Sequence, residues 1–566
     1  MNPTDTDVVQ TTETVDLPDR ILEIARREPD RVAVVHVGRP WFGKQRQKVT
    51  TFAQLSHRAE ATAVGLREIG IREGTLCSFM VPPGEDAMVL ALALWRVGAV
   101  MVGIEPHSHG MKTVARCLAK VGPEVFFGTP EAHVGRRVFG WGRDTVKTNI
   151  VVGGKIPGMR SLKSLERPWL ADPQPPAVAP EDPAVVAFTT GSTGNPKPTV
   201  MTHRNLTTMI RGVGAQWGLD RADEVVDMPT FPIFWIIGLS QAGTVVIPPM
   251  NFATKGPGHA DPAMLARVIT DYGVRSMFGS PALLANLARH CDEQGLKLPT
   301  LERIVAGGAE IYGPLYAAVK KVLVDGEMYS NYGATEALPI AEIAGATVLG
   351  ETWARTEAGE GLCVGDPLDG VEVRIVGISD EPIESMDDAE VMSTGAIGEV
   401  VARSPHISER YWELPEEMAK NKIAEADTLW HRLGDTGWLD DQGRLWVCGR
   451  VSHRVVTSER THFALCCEPV FNTHPDVVRT ALVGPRLAGG ATATAVMCVE
   501  LKPEARDRSA QVARELQALA DGHDATKGID RFAFIDRLPV DKRHNAKIDR
   551  PALAKRVAAG ELPLAR

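Results

Sequence analysis

Short apolar runs of strand length alternate with helical patterns from residue 33 to about residue 340, and this alternation confines the chain to βαβ units built on mainly parallel sheet. Runs at 76–81, 100–104 and 125–127 are separated by helical patterns over 85–97 and 111–121. The rhythm resumes with strands at 244–247, 276–278 and 303–305, and with helices over 262–272, 281–290 and onward from Gly313. Sheets of this kind take their ligands in the loops at strand ends. From 361 to 449 the runs shorten and are punctuated by Gly/Asp turns, as at 371–376, 398–401 and 445–447, which predicts a compact β subdomain. A small α+β unit is expected from about Arg450, with strands at 481–483 and 495–500, a helix over 509–519 and a polar loop carrying Lys547.

A chain of 566 residues exceeds what one hydrophobic core organises. The expected division is into 1–449 and 450–566: a large α/β N-terminal domain with parallel-sheet subdomains plus a β subdomain, then the small α+β domain. Five prolines within 171–183 read as an extended connector that delivers the chain into the segment after it. With 62 Lys+Arg against 71 Asp+Glu, formal charge −9, a basic footprint is missing, which argues against a nucleic-acid binder. Eight scattered cysteines without paired CxxC units imply reduced thiols, a cytoplasmic setting and no zinc site. Residues 1–15 are polar and acidic and read as a loose tail, not a signal peptide. The most apolar stretch, 87–102, is broken by Arg96 and Gly98, so it reads as a buried helix and strand and not as a membrane span.

The apolar run at 185–188 enters the sequence TTGSTGNPKP. Thr189, Thr190, Gly191, Ser192, Thr193 and Gly194 offer hydroxyls and backbone N–H groups freed by glycine geometry, and Lys197 adds a positive point charge. A nucleotide's phosphates need that combination. The loop is not of the Walker A type, since Gly191 and Gly194 are three apart and Pro196 intervenes before the lysine. An ordinary turn would need only one or two of these residues.

Three further segments fit the same chemistry. Tyr332, Gly333, Ala334, Thr335 and Glu336 supply an aromatic face, a close-approach glycine, a hydroxyl and a carboxylate, the last two suited to placing Mg²⁺ on ATP's phosphates. Asp435, between Gly434 and Gly437, can take both ribose hydroxyls, and Arg450 after Gly449 adds a ribose or phosphate contact. Lys547 lies among charged neighbours near the C-terminus. Alone, each of Asp435, Arg450 and Lys547 would pass for a turn or surface residue; their order is what carries information.

The succession TTGSTGxPK, YGATE, GDTG, GR and a late Lys resembles the adenylate-forming superfamily of acyl-CoA synthetases, luciferases and nonribosomal adenylation domains, over nearly the whole chain. The resemblance implies a mobile C-terminal domain that rotates between two half-reactions, the first joining a carboxylate to AMP. It implies that residues 189–197 hold the β and γ phosphates, and that Gly308, Ala309, Glu310 and Tyr332 frame adenine. Thr335 and Glu336 would serve Mg²⁺, and Asp435 and Arg450 the ribose. Lys547 would bridge the substrate carboxylate and the α-phosphate, offsetting the charge that builds on phosphorus.

Departures from the superfamily pattern concern the second half-reaction. Thiol-using ligases keep a Lys and then a Gly after the GR motif, where this chain has Val456 and Glu459; the usual Gly before the late Lys is Ala546. The aromatic motif that commonly holds a His reads PTFPIF at 229–234. With the segments 278–283, 356–359, 468–473 and 543–547, these departures resemble the olefin-pathway β-lactone synthetases. That branch implies a long-chain 2-alkyl-3-hydroxy acid whose 3-hydroxyl attacks the acyl-adenylate within the same molecule, so that effective molarity replaces a second substrate. Phe231, Phe234, Trp235, Ile236, Met277 and Phe278 are expected to line an apolar pocket for two alkyl chains, although plain core is the commoner role of such residues. His203 and His453 are both candidate bases for the 3-hydroxyl, and a capping or packing role for His203 stands beside that. Glu105, His107 and His109 read as a polar turn and not a metal site. A homodimer, or assembly with other enzymes of the pathway, follows from the resemblance alone. A long-chain fatty acyl-CoA or acyl-AMP ligase remains the alternative enzyme, and a non-catalytic nucleotide-binding protein the alternative of another class.

Overall fold

The structure, a computed structural model, describes residues 17–41, 44–104, 106–168, 178–189, 196–219, 224–231, 233–251, 256–486, 492–540 and 548–565. The predicted alternation appears as two large sheets with helices packed between them. The smaller has eight strands and runs in parallel from Pro183–Thr189 through Val100–Gly103, Leu76–Met80 and Val125–Gly128 to the edge beyond Thr148–Val151. Lys197–Thr202 returns antiparallel beside Pro183–Thr189 and sets Lys197 directly opposite Thr189. Arg410–Tyr411 closes that edge, from more than 200 residues away in sequence.

The larger sheet has fourteen strands. Its parallel half orders Val32–Trp41, Thr244–Ile247, Val226–Pro229, Ser276–Gly279, Arg303–Ala306 and Glu327–Ala334. At Ala337–Ala344 the pairing turns antiparallel and continues through Leu362–Pro367, Leu445–Arg450, Thr428–Leu439, Gly398–Arg403 and Glu372–Val376. This half corresponds to the expected β subdomain. The helices Phe52–Glu68, Glu85–Arg96, His203–Gln216 and Trp235–Ser240 bury their faces with Val34, Val185, Val245 and Val305 in one core between the sheets. Glu85–Arg96 is buried along its whole length apart from Asp86, which explains why its sequence from Ala87 to Trp95 reads as apolar on all sides.

Local sequence fixes where the helices begin. Ser280 accepts the Leu283 N–H at 3.3 Å ahead of Pro281, and Asp261 accepts the Ala263 N–H ahead of Pro262, each an N-cap followed by proline at the first helical position. Thr202 and Asn205 form a reciprocal capping box at the start of His203–Gln216. The Asn205 amide also donates to the carbonyls of Pro405 and Ile407, and Trp217 at the helix end donates to buried Glu342 at 3.1 Å. The helix is thereby tied to both sheets.

One strand was not legible as such: Lys44–Thr51, KQRQKVTT, carries no apolar alternation. It is an edge strand held by pairing with Val32–Trp41, and its charges suit an edge open to water. The C-terminal portion builds a four-stranded sheet from Val477–Val483, Val496–Leu501, Phe532–Ile535 and Leu564–Ala565. Phe471, Val512, Leu516 and Phe532 form a core of its own there.

Candidate functional site

Neighbouring antiparallel strands place Asp435 directly opposite Arg450, so both side chains leave the sheet on one face. Gly434 and Gly449 have φ of +67° and +127°, a backbone that only glycine adopts without strain, one residue before each functional side chain. The Arg450 guanidinium lies 3.1 Å from one Asp435 oxygen, and the Tyr332 hydroxyl donates to the other at 2.7 Å. Arg450 also donates to the Leu433 carbonyl at 2.9 Å. Asp435 holds Arg450 firmly charged, while burial and the same carboxylate keep Tyr332 neutral. Each carboxylate oxygen can accept more than one hydrogen bond, which suits such a group to hydroxyl ligands. Gly333 is required by space: a Cβ there would sit 2.4 Å from the Ala337 carbonyl oxygen.

A second cluster gathers around Tyr411. Its hydroxyl donates to Glu336 at 3.0 Å, and the Lys197 ammonium stands 5.6 Å from its ring centroid. Lys197 pairs with Glu417 at 2.6 Å and, against the effect of burial, holds that carboxyl below the usual range. Buried Lys422 donates to the Ser408 carbonyl, whose residue N–H in turn binds the Glu336 carbonyl at 2.7 Å. Burial lowers the Lys422 amine to about 8, with Glu336 and Glu409 opposing the shift. Thr189 Oγ1 is buried at the same place with no partner among the described residues. A buried hydroxyl, an ammonium and a carboxylate thus converge on one wall.

Both clusters open into a cavity of about 1140 Å³. Its wall includes Thr189 and Lys197, Gly308, Ala309 and Glu310, the whole of Tyr332 to Glu336, and Asp435 and Arg450. Thr190, Gly191, Ser192, Thr193, Gly194 and Lys547 lie outside the described residues. His203 is buried at the first position of its helix but is not part of the cavity wall, whereas His453 is. Burial first, then the neighbouring Arg550 and Arg450, push the His453 imidazole down to about 4. An NMR titration of His453 should therefore show a midpoint near 4. Because the folded value lies below the ordinary 6.5, the stability tied to this residue is complete above 6.5 and is lost as pH falls toward 4. A midpoint above 6 would contradict the arrangement.

Toward its other end the cavity turns apolar. Phe231, Phe234 and Phe278 form an aromatic corner: Phe234 stacks on Phe278 at 4.1 Å, and Phe231 meets Phe278 edge to face at 5.5 Å. Trp235 and Ile236 continue this wall. Between the two phenylalanines Ile233 has φ +72°, a conformation that costs a β-branched residue about 1–3 kcal/mol and persists only where packing enforces it.

Met277 does not belong to this wall. It is fully buried with Leu265, Ile269 and Leu284 in the core on the opposite face of the sheet. Successive strand residues point to opposite faces, so Phe278 and Met277 cannot both face the cavity. Met277→Ala should cost about 2–5 kcal/mol of stability by leaving a hole in that core, whereas Phe278→Ala should mainly widen the cavity. Thermal unfolding of the two variants checks this, and a larger loss of stability in Phe278→Ala would reverse the assignment of faces.

Several residues of the site gave no sequence signal. Tyr411 and Glu417 reach it because Arg410–Tyr411 pairs with Lys197–Thr202. Arg550, fixed by two contacts of 2.6 and 2.8 Å to buried Glu468, enters from the C-terminal portion.

Comparison with known proteins adds the following. The family described as AMP-binding enzyme matches residues 21–412. An olefin beta-lactone synthetase of Stenotrophomonas maltophilia (strain K279a) is 38% identical over 546 residues, covering 94% of this chain and 96% of the relative. A second, from Xanthomonas campestris pv. campestris, is 37% identical, covering 94% and 95%. Among solved structures, the amide bond synthetase McbA from Marinactinospora thermotolerans superposes with a TM-score of 0.75 at 23% identity, covering 95% of this chain and 98% of that one, and so shares the fold.

Proposed function

The chain belongs to the AMP-binding enzyme family, as an ATP-dependent carboxylate-adenylating ligase, and on that premise we propose that it converts a long-chain 2-alkyl-3-hydroxy acid into a β-lactone, AMP and pyrophosphate. The observation that carries this reading is one cavity joining the Asp435–Arg450–Tyr332 end to an apolar arm cornered by three phenylalanines. It is supported by the likeness, over nearly the full length, to proteins named olefin beta-lactone synthetase.

In this reading Asp435 accepts the ribose hydroxyls with Arg450 beside it, and Gly308, Ala309, Glu310 and Tyr332 border the adenine. Thr189, Lys197 and the intervening loop hold the β and γ phosphates, and Lys197 exchanges its contact with Glu417 for phosphate oxygen. Glu336 and Thr335 present an acid and a hydroxyl suited to a hard cation, since Mg²⁺ on ATP takes one or two carboxylates with the phosphates. Bound there, Mg²⁺ would neutralise phosphate charge. A substrate carboxylate oxygen attacks the α-phosphorus, the α–β anhydride bond breaks and pyrophosphate leaves, with Lys547 placed against the developing charge. The 3-hydroxyl oxygen then attacks the acyl carbon, the bond to AMP oxygen breaks and the four-membered ring closes. The hydroxyl proton passes to a base; His453, neutral and in the wall, is the candidate the geometry favours over His203. The division at 449/450, with movement of the C-terminal part between the two steps, belongs to the same reading.

Incubation of the protein with a 2-alkyl-3-hydroxy acid, ATP and Mg²⁺ should give lactone at a rate that added coenzyme A leaves unchanged. A thioester formed only with coenzyme A, as sole product, would replace this reading with that of an acyl-CoA ligase.

A further inference from the structure

The cavity wall also includes Met111, Gly135 and Phe139, from the helices Met111–Val121 and Pro130–Phe139, and Trp141 just after them. Gly135 and Phe139 line the cavity and lean on Trp141, whose ring stacks with Phe139 and whose indole N–H binds the Met111 carbonyl at 2.9 Å. One strip further round the same helix, Val134 and Val138 stand 64% and 66% exposed, and Met111 and Phe139 are each 40% exposed. The other strongly exposed large apolar side chains among the described residues are spread along the chain, while these four belong to this one helix pair.

The surroundings of these helices are basic in an acidic protein. Residues 106–147 hold seven Lys and Arg against three Asp and Glu, within a chain of formal charge −9. Lys112, Arg116 and Lys120 recur every fourth residue along the exposed side of Met111–Val121, and Arg137 and Arg143 are exposed beside the other helix. Exposed apolar side chains on helices that also carry several cations, with Glu131 the acid among them, suit the boundary between anionic headgroups and acyl chains. A soluble protein partner would more often meet such a patch with acidic side chains.

We propose that this helix pair is a membrane-docking face that rests on an anionic lipid surface and admits the alkyl chains of the substrate from the bilayer into the cavity. The proposal rests on the reading of the cavity as a long-chain acid site, but lipid binding can be measured without any substrate.

Flotation of the full-length protein with vesicles of phosphatidylcholine alone, or of equal parts phosphatidylcholine and phosphatidylglycerol, tests it. Binding should be at least about tenfold greater on the anionic vesicles and should fall at high salt. The pair Val134→Asp with Val138→Asp, and separately the triple Lys112→Glu, Arg116→Glu and Lys120→Glu, should each lose about tenfold in binding. Both should keep wild-type turnover of a short, water-soluble 3-hydroxy acid, which confirms that they fold. Absence of wild-type binding to anionic vesicles, or full binding by both variants, overturns the proposal. So does a change of oligomeric state in the valine variant without any lipid binding by the wild type, which would make the face a contact between copies. Vesicle binding with no turnover of any 3-hydroxy acid would leave the docking face standing and remove the proposed reaction.

Discussion

Asp435→Ala lowers kcat/KM for ATP by about 10²–10⁴-fold. The estimate follows from the geometry: two hydroxyls bound by a carboxylate contribute about 1.5–3 kcal/mol each, and each 1.4 kcal/mol is a factor of ten. The same change leaves Arg450 and the Tyr332 hydroxyl facing the cavity without their shared acceptor, so some folding stability is lost as well. Asp435→Asn separates the two effects, because the amide keeps an acceptor for Tyr332 while losing the charge opposite Arg450. It should fall between wild type and Asp435→Ala in pyrophosphate exchange, with nearly unchanged thermal unfolding. Exchange within a few-fold of wild type in Asp435→Ala would remove the ribose role.

Lys547→Ala should be about as damaging, through a different step. A cation that meets the α-phosphate most strongly as charge builds on phosphorus acts on the transition state, and losing such a contact costs about 10²–10³-fold in kcat. KM for ATP should change little. Supplied with preformed acyl-adenylate, the same variant should close the lactone at close to the wild-type rate, since ring closure does not pass through the α-phosphate transition state. Single-turnover assays of the two steps distinguish these outcomes, and equal losses in both would spread the role of Lys547 over the whole cycle.

The parts of the fold legible in the sequence are those where burial repeats with the period of the element. The strands Leu76–Met80, Val125–Gly128 and Ser276–Gly279 are short apolar runs because parallel strands are covered on both faces. Lys44–Thr51 escaped because an edge strand open to water needs no apolar alternation. Phe231, Phe234, Trp235 and Phe278 were recognised by composition and do meet in the cavity wall, but composition does not say which side of a strand a residue occupies, and Met277 lies on the other side. The alternation rule applied to Phe278 would have placed it correctly. Asp435 and Arg450 were readable only through the order of the motifs that hold them, each with a glycine before it that the structure finds at positive φ. Tyr411 was not, since the strand pairing that carries it spans more than 200 residues. Nor did sequence separate His203 from His453: both are histidines near a motif, and only the packing puts the second in the cavity wall beside two arginines.

The central claim is that the carboxylate is activated as an adenylate and that the substrate's own 3-hydroxyl then displaces AMP. A 2-alkyl-3-hydroxy acid carrying ¹⁸O in both carboxyl oxygens, incubated with ATP and Mg²⁺ in the absence of any thiol, tests it in one mass spectrum. The account predicts one ¹⁸O in the phosphate of AMP, one in the lactone carbonyl, and the unlabelled 3-oxygen in the ring. Unlabelled AMP with both ¹⁸O atoms in the lactone would mean that the hydroxyl was activated instead, and labelled AMP with only free acid recovered would mean that the protein adenylates but does not close the ring.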